Sequence, residues 1–254
     1  MLSEKLLDYI ANLQVGEPSE EQVVFTADES PSLTGVDIDK LPNAIVTGSN
    51  LVEFPKEANS DIKSGVTLSL LAAQRVADNA KLRSLREWTE CYNSVLTNLN
   101  WRITGGGQVD SDFKNINVAI HEAIIPFLAA TFTGGVAAAS LICTALQQLK
   151  KMDENSPWIT LFDQQSRRFD VSEYQFAFVA IDGSDVSINL ASARFNASFG
   201  KTQILFFKVG KETAKFQSTK EKLSADSGLL TEMNVGLKKR LAAFTKDYIQ
   251  NLPI

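Results

Sequence analysis

Residues 123–149 read AIIPFLAATFTGGVAAASLICTALQQL, 27 consecutive positions without a charge between Glu122 and Lys150. A run of that length is long enough to cross a bilayer, whose hydrocarbon core takes about 20 apolar residues as a helix. Its composition leans on Ala, Gly and Thr and is poor in the Leu and Ile that make insertion favourable. A helix apolar all round is buried, either in protein or in lipid. The run therefore decides the layout, because the rest of the chain must cover it, flank it or release it.

Ile116, Ile120, Ile124, Phe127 and Leu128 fall on successive helical turns, with Asp110 or Asp112 able to cap the start. Pro126 must kink or break such a helix. Gly134-Gly135 adds a second weak point, at roughly 1 kcal/mol per Gly relative to Ala. The pattern predicts two helical pieces with a break within 126–135. The glycine pair is then either a hinge or a place of close packing against a neighbouring helix. The candidate insertion residues are Ile124, Ile125, Pro126, Phe127, Leu128, Phe132, Gly134, Gly135, Val136, Leu141 and Ile142.

The expected neighbour is a long helix capped by Asp61 or Ser64 and running to about Leu99. Val76, Leu82, Leu85, Trp88, Tyr92, Val95, Leu96 and Leu99 form its apolar stripe. Thr104-Gly105-Gly106-Gly107 reads as a flexible connector to the next helix. Upstream, Leu2, Leu6, Leu7, Ile10 and Leu13 mark a short amphipathic helix. Residues 15–42 are rich in acids, Ser, Pro and Gly around a strand-like run at 22–27. A second strand-like run, 44–54, is broken by Gly48-Ser49.

After Pro157 the period changes. Trp158–Phe162, Tyr174–Ile181, Val186–Phe195, Gln203–Val209 and Thr213–Thr219 alternate, or are β-branched and aromatic, with hairpin signals at Asp182-Gly183, Phe199-Gly200 and Gly210-Lys211. Tyr174, Phe176 and Phe178 line one face, and Gln175, Ala177, Val179 and Ile181 the other, so both faces are expected to be covered. A last helix from Ser227 to about Gln250 buries Leu230, Met233, Leu237, Leu241, Phe244 and Tyr248. The fold class is α+β, with two long antiparallel helices and a C-terminal helix packed on an antiparallel β-meander. It reads as one domain over 1–254: a helical layer about 60–152, a meander about 157–220 and a C-terminal helix about 227–250.

The chain carries a formal charge of -5, which disfavours nucleic acid as a partner. Residues 1–61 hold twelve acids against three bases, so the remainder is net basic. Lys201, Lys208, Lys211, Lys215, Lys220, Lys222, Lys238, Lys239 and Arg240 form a candidate basic surface for anionic lipid or an acidic protein. An acidic N-terminal region docking on this half is a further reading of the asymmetry.

Motifs for chemistry are scarce. His121 is the only histidine, and position 125 is Ile, so no H-E-x-x-H follows. No G-x-S-x-G is present. Cys91 and Cys143 have no metal or disulfide spacing. Gly200-Lys201-Thr202 lacks the earlier Gly of a phosphate loop, since that position is Phe195. Asp182, Ser184 and Asp185 are explained by a turn, and Asn196-Ala197-Ser198 matches a glycosylation sequon. No cofactor, metal or enzyme is expected. Any catalysis would have to use carboxylates, Lys or Tyr.

A long uncharged helical segment, broken by Gly-Gly and flanked by a second long helix, resembles α-helical pore-forming toxins. The likeness is architectural, covers roughly 60–152, and matches no motif residue by residue. It implies a membrane-acting or self-assembling protein with an anionic membrane surface as partner, able to form homo-oligomers. The alternative is a soluble protein-interaction or structural module whose core is that segment. Glu4 and Asp8 interrupt any signal-peptide core, so synthesis in the cytoplasm is expected, with release by a leaderless route as an option.

Overall fold

The computed structural model describes residues 4–17, 39–109, 118–131, 140–153, 156–196, 205, 208–209 and 216–252. Its spine is a hairpin of two twelve-residue strands, β6 (Val171–Asp182) and β7 (Asp185–Asn196). They pair from Val171↔Asn196 to Asp182↔Asp185 and turn at Gly183-Ser184. β9 (Phe216–Asp226) lies antiparallel to β7, and β3 (Arg102–Val109) closes that side. On the other side β2 (Asn50–Glu53) runs parallel to β6, followed by β1 (Ala44–Thr47) and β10 (Ile249–Asn251). With the short β5 (Arg167–Arg168) on β6, this is an eight-stranded, mostly antiparallel sheet of order β10-β1-β2-β6-β7-β9-β3. A separate two-stranded ribbon pairs β4 (Val118–Ala119) with β8 (Lys208–Val209).

Alternation along the strands sends apolar side chains to both faces, so each face needs a helical cover. Ile45, Val52, Ala177, Val179, Val186, Ile188, Leu190 and Leu223 pack under α1 (Glu4–Ala11), α2 (Ser60–Asn79), α3 (Leu85–Asn98) and α7 (Ser227–Tyr248). Val46, Leu51, Tyr174, Phe176, Phe178, Ala191, Ala193 and Phe195 pack under α4 (Ile120–Thr131), α5 (Ser140–Gln148) and α6 (Pro157–Gln165). The expected division of β6 between its faces holds, as does the fold class of helices packed on a mostly antiparallel sheet. The stripe expected on the C-terminal helix is buried at all six positions.

Four local expectations are corrected. The run 61–99 forms two helices, α2 and α3. Asn59 caps α2 by accepting from the Ile62 N–H, in place of Asp61 or Ser64. Ser84 starts α3 by accepting from the Glu87 N–H at 3.2 Å, while the Glu87 carboxylate takes the Arg83 N–H at 2.9 Å. This S-x-x-E start is a capping-box signal inside what reads as one continuous stripe. Gly105-Gly106-Gly107 belongs to strand β3, registered on β9 with an irregularity between Thr104 and Gly106, and is not a helix connector. Trp158–Phe162 is helical in α6, with Pro157 in its first turn. Its buried Trp158, Ile159, Leu161 and Phe162 fit helical spacing as well as they fit a short strand.

The fourth correction concerns layout. The described parts of the uncharged segment, α4 and α5, do not pack against α2 and α3; the sheet separates them. The segment supplies two helices, α4 with Pro126 inside it, and α5. The segment between them, with Phe132, Gly134, Gly135 and Val136, lies outside the described residues, as do the strand-like run at 22–27 and the proposed caps Asp110 and Asp112.

α2 and α7 pack closely at Gly65, where a side chain would place its Cβ 3.0 Å from the Leu230 Cβ and oblige that neighbour to give way. At the β1–β2 turn, Gly48 has φ +56° and faces the Gln74 side chain, which closes the turn onto α2.

Candidate functional site

The uncharged segment becomes a thin layer on the aromatic sheet face. Ile120, Ile124, Phe127 and Leu128 of α4, with Ile142, Ala145 and Leu146 of α5, point inward and are buried. On the outside, Pro126 and Ala129 are exposed, and Ile125, Leu141 and Cys143 are half-buried. No charge occurs on this outer surface, since the sequence has none from Ala123 to Leu149.

Polar ties among the described residues sit at the helix ends. α4 opens with the Glu122 carboxylate accepting from the Ala119 N–H at 3.2 Å. Its last turn exposes the Thr131 carbonyl to the Lys220 ammonium of β9, 3.0 Å away. α5 opens onto Glu53 of β2. One carboxylate oxygen takes the Leu141 N–H at 3.4 Å and the other the Ile142 N–H at 3.2 Å, with the residue 6% exposed. An anion at a helix N-terminus and a cation at a helix C-terminus both match the helix dipole. Thus two sheet charges of opposite sign sit at the two ends that flank the α4–α5 connector.

A second set of bonds ties α4 to α6. Asp163 accepts from the Tyr174 hydroxyl at 2.5 Å and the Leu205 N–H at 3.2 Å, and pairs with Arg167 at 2.6 Å. The Leu205 carbonyl in turn lies 2.8 Å from His121 Nδ1, which must donate to it, and accepts the His121 N–H at 3.2 Å. His121 is therefore a buried structural group at the base of α4. Burial, then the Asp163 charge, push the Tyr174 hydroxyl well above its ordinary pKa, so it stays a donor.

The described basic candidates do not converge. Lys220 and Lys222 alternate toward the α4 face, opposite Ala191 and Asn189 of β7. Lys238, Lys239 and Arg240 lie on α7, beyond the other face. There Lys238 pairs with Asp39 and Arg240 bonds the Leu13 carbonyl, while Lys239 is exposed. Those two contacts join the N-terminal region to the basic half through one ion pair and one carbonyl. Lys201, Lys211 and Lys215 lie outside the described residues, and Lys208 is described only as part of β8.

The sequence reading missed a buried polar cluster on the α2–α3 side. The Arg168 guanidinium stacks 4.0 Å over the Trp88 ring, meets Asp78 at 3.4 Å and donates to Ser49 Oγ at 3.1 Å. Trp88 donates to the same Asp78 oxygen at 2.7 Å and stacks on Tyr92. Gln74 accepts from the Ser49 N–H at 2.8 Å, and Arg194 pairs with Glu173 at 2.8 Å. Burial raises the Glu221 pKa, opposed by an Asn93 hydrogen bond, and the neighbouring Glu173 raises it further against Arg194. The cluster holds no nucleophile beside a base. It locks α2 and α3 to the polar end of the sheet. Its one legible sign was Glu173 and Gln175, polar residues interleaved with Tyr174, Phe176 and Phe178 on the same strand. Among the described residues no group of three metal-ligating side chains occurs.

The described chain is thus an α+β protein whose sheet carries an anchored helical layer on one face and, on the other, a layer whose helices α4 and α5 hold no charge beyond Glu122. No protein-family model matches it, and no curated protein sequence matches it. Solved structures that resemble it include the Evf virulence factor, at 13% identity and a TM-score of 0.36 over 84% of each chain. A delta-endotoxin follows at 14% identity and TM-score 0.36, over 74% of this chain and 82% of that one. The activated Cyt2Ba monomer from Bacillus thuringiensis subsp. israelensis matches at 13% identity and TM-score 0.30, over 52% of this chain and 77% of that one. The likeness is distant, and no residue role is carried over from it.

Proposed function

We propose that the protein acts on membranes and that α4 and α5 are the part that meets lipid. The observation that carries this reading is the charge-free outer surface of that layer, with Pro126 and Ala129 exposed and Ile125 and Leu141 half-buried. From Ala123 onward a layer of this kind can exchange the aromatic sheet face for acyl chains without moving a charge into lipid, and Glu122 at the start of α4 can stay at the headgroup boundary. Among the described residues no helix is long and apolar enough to cross a membrane. The 12 residues of α4 span only ~18 Å against a hydrocarbon core of ~30 Å. The expected mode is therefore two short helices lying at the headgroup boundary, with assembly of several copies needed for any breach. Lys220 and Lys222, exposed on the same side of the sheet, favour anionic headgroups by about 1 kcal/mol each when near the surface.

The test is dye release and flotation with phosphatidylglycerol-containing vesicles at neutral and mildly acidic pH. Release that requires the anionic lipid is the expected result; neither release nor flotation at either pH would overturn the reading. A second reading, a protein-interaction module with this segment as its core, draws on the full burial of Ile120, Ile124, Leu128, Ile142 and Leu146. It predicts a stable complex or oligomer by light scattering, with no response to vesicles.

A further inference from the structure

The polar end of the sheet, on the α2–α3 side, carries buried hydrogen-bonding atoms with no partner among the described residues. Four of them are Asn50 Oδ1, the Tyr92 hydroxyl, Arg168 Nη1 and Glu173 Oε2. Their residues are 0, 1, 8 and 1% exposed. The rest of each side chain is engaged. Asn50 Nδ2 donates to the Thr47 carbonyl at 3.3 Å, and the Tyr92 ring stacks on Trp88. Arg168 holds Trp88, Asp78 and Ser49, and the other Glu173 oxygen pairs with Arg194. The engaged part of each side chain thus fixes the unpaired atom in place. Burial acts most strongly on the Tyr92 hydroxyl and raises its pKa; Asn50, Arg168, Glu221 and Glu173 are the other groups that act on it, so they surround it. The Asn50 side chain lies beside that hydroxyl without coming within hydrogen-bond distance. Buried polar groups left unpaired are destabilising, and four in one place are a penalty that a single guest can remove. We propose that these four groups are the floor of a binding site for a neutral, hydroxyl-bearing ligand such as a sugar with two adjacent hydroxyls.

The balance of donors and acceptors selects that class. Asn50 Oδ1 and the Glu173 carboxylate oxygen only accept, Arg168 Nη1 only donates, and the Tyr92 hydroxyl does either. A phosphate or carboxylate brings acceptors alone and would face two acceptors with no proton between them. An ammonium brings donors alone and would meet the Arg168 guanidinium. Two adjacent hydroxyls bring both. Their protons go to Asn50 and Glu173, and their lone pairs accept from Arg168 and Tyr92. Charge agrees with this choice: Arg168 is answered by Asp78 and Glu173 by Arg194, so a neutral guest leaves no charge unpaired. The way in lies along α3, where Asn93, Glu221 and Arg194 are only half-buried and form the mouth. The floor behind them is closed to solvent, so a ligand enters as α3 shifts outward. The site lies across the sheet from α4 and α5 and does not depend on the membrane reading.

The test follows hydrogen exchange of the full chain by peptide mass, with glucose, galactose or mannose added at millimolar concentrations. A bound sugar should slow exchange in α3 and leave α4 and α5 unchanged. No slowing with any of the three overturns the proposal, since water alone then answers these groups. Tyr92→Phe removes one hydroxyl and keeps the ring. Because that hydroxyl has no partner among the described residues, Y92F should keep or raise the Tm, while sugar affinity falls about tenfold. Undiminished sugar protection in Y92F places the sugar elsewhere and overturns the proposal. A lower Tm in Y92F without sugar, or a variant that does not fold, shows the hydroxyl to be structural and overturns it too. Phosphatidylcholine vesicles with and without galactosylceramide separate the two sources of the ligand. Protection of α3 by the glycolipid vesicles assigns a membrane-borne sugar, and protection by free sugar alone assigns a soluble one; either upholds the site.

Discussion

The two helical layers cover the same sheet but are attached differently. On one side α2 and α7, of 20 and 22 residues, are capped by Asn59 and Asp226 and stitched down by partly buried polar contacts. Arg75 bonds the Val15 carbonyl and Tyr248, Asn234 bonds the Asp61 carbonyl, and Arg168 joins Trp88, Asp78 and Ser49. On the other side α4 and α5, of 12 and 9 residues, rest on aromatic rings and are tied at their ends. Apolar contact is non-directional, whereas a hydrogen bond or ion pair specifies one partner. The first layer is thus committed to its place, and the second is held mainly by the exclusion of water.

That contrast breaks or sharpens under mutation. Leu70→Ala, at a position with no exposure in α2, should cost about 4 kcal/mol, and hydrogen exchange should rise throughout the chain. Ile142→Ala, equally buried in α5, should raise exchange in α4 and α5 alone. If both variants loosen the whole chain alike, the layers are not separable. Arg168→Ala removes the buried guanidinium that stacks on Trp88 and bonds Ser49, and should lower stability by about 1–3 kcal/mol in urea unfolding, with no separate loosening of α4 and α5. Ser84→Ala removes the cap that begins α3 and should cost about 1 kcal/mol, seen as a lower Tm.

The smallest effect concerns Glu221. Its pKa is raised in the folded state, chiefly by burial, so the folded chain binds this proton more tightly than the unfolded one. Its contribution to stability is fully present below the unfolded-state value and is lost as pH rises through the folded-state value. Glu221→Gln should therefore flatten the stability profile just above the ordinary carboxylate range and leave the variant no less stable at neutral pH. A neutral-pH loss on this substitution would mean that the ionised carboxylate is favoured by Arg194 and Asn93 after all.

Much of the local structure was legible from short-range pattern. β6 and β7 alternate around a Gly turn, and α7 carries its stripe at three- and four-residue steps, because burial of one face imposes those periods. The misreadings came where two local signals compete. Val76 to Leu99 keeps an apolar stripe through the α2–α3 junction, and only Ser84 with Glu87 marks the new start. Trp158–Phe162 is too short an apolar run for its period to separate helix from strand. The glycines at 105–107 look like a flexible turn because backbone pairing with β9, which a strand supplies for any side chain, leaves no mark in β3 itself.

For the candidate site, the absence of charge from Ala123 to Leu149 was visible at once, and it alone determined that this segment must be hidden or placed in lipid. What hides it was decided only in three dimensions. An apolar stripe states that water must be excluded and does not say by which surface, so α2 and α3 were as good a partner as Tyr174, Phe176 and Phe178. Strand order and side-chain parity settled that choice, and they depend on pairings between distant segments. Glu53 shows the same limit most sharply. Its partners lie 88 and 89 residues further along the chain, and a carboxylate in a four-residue strand gives no local sign that it will meet a helix end.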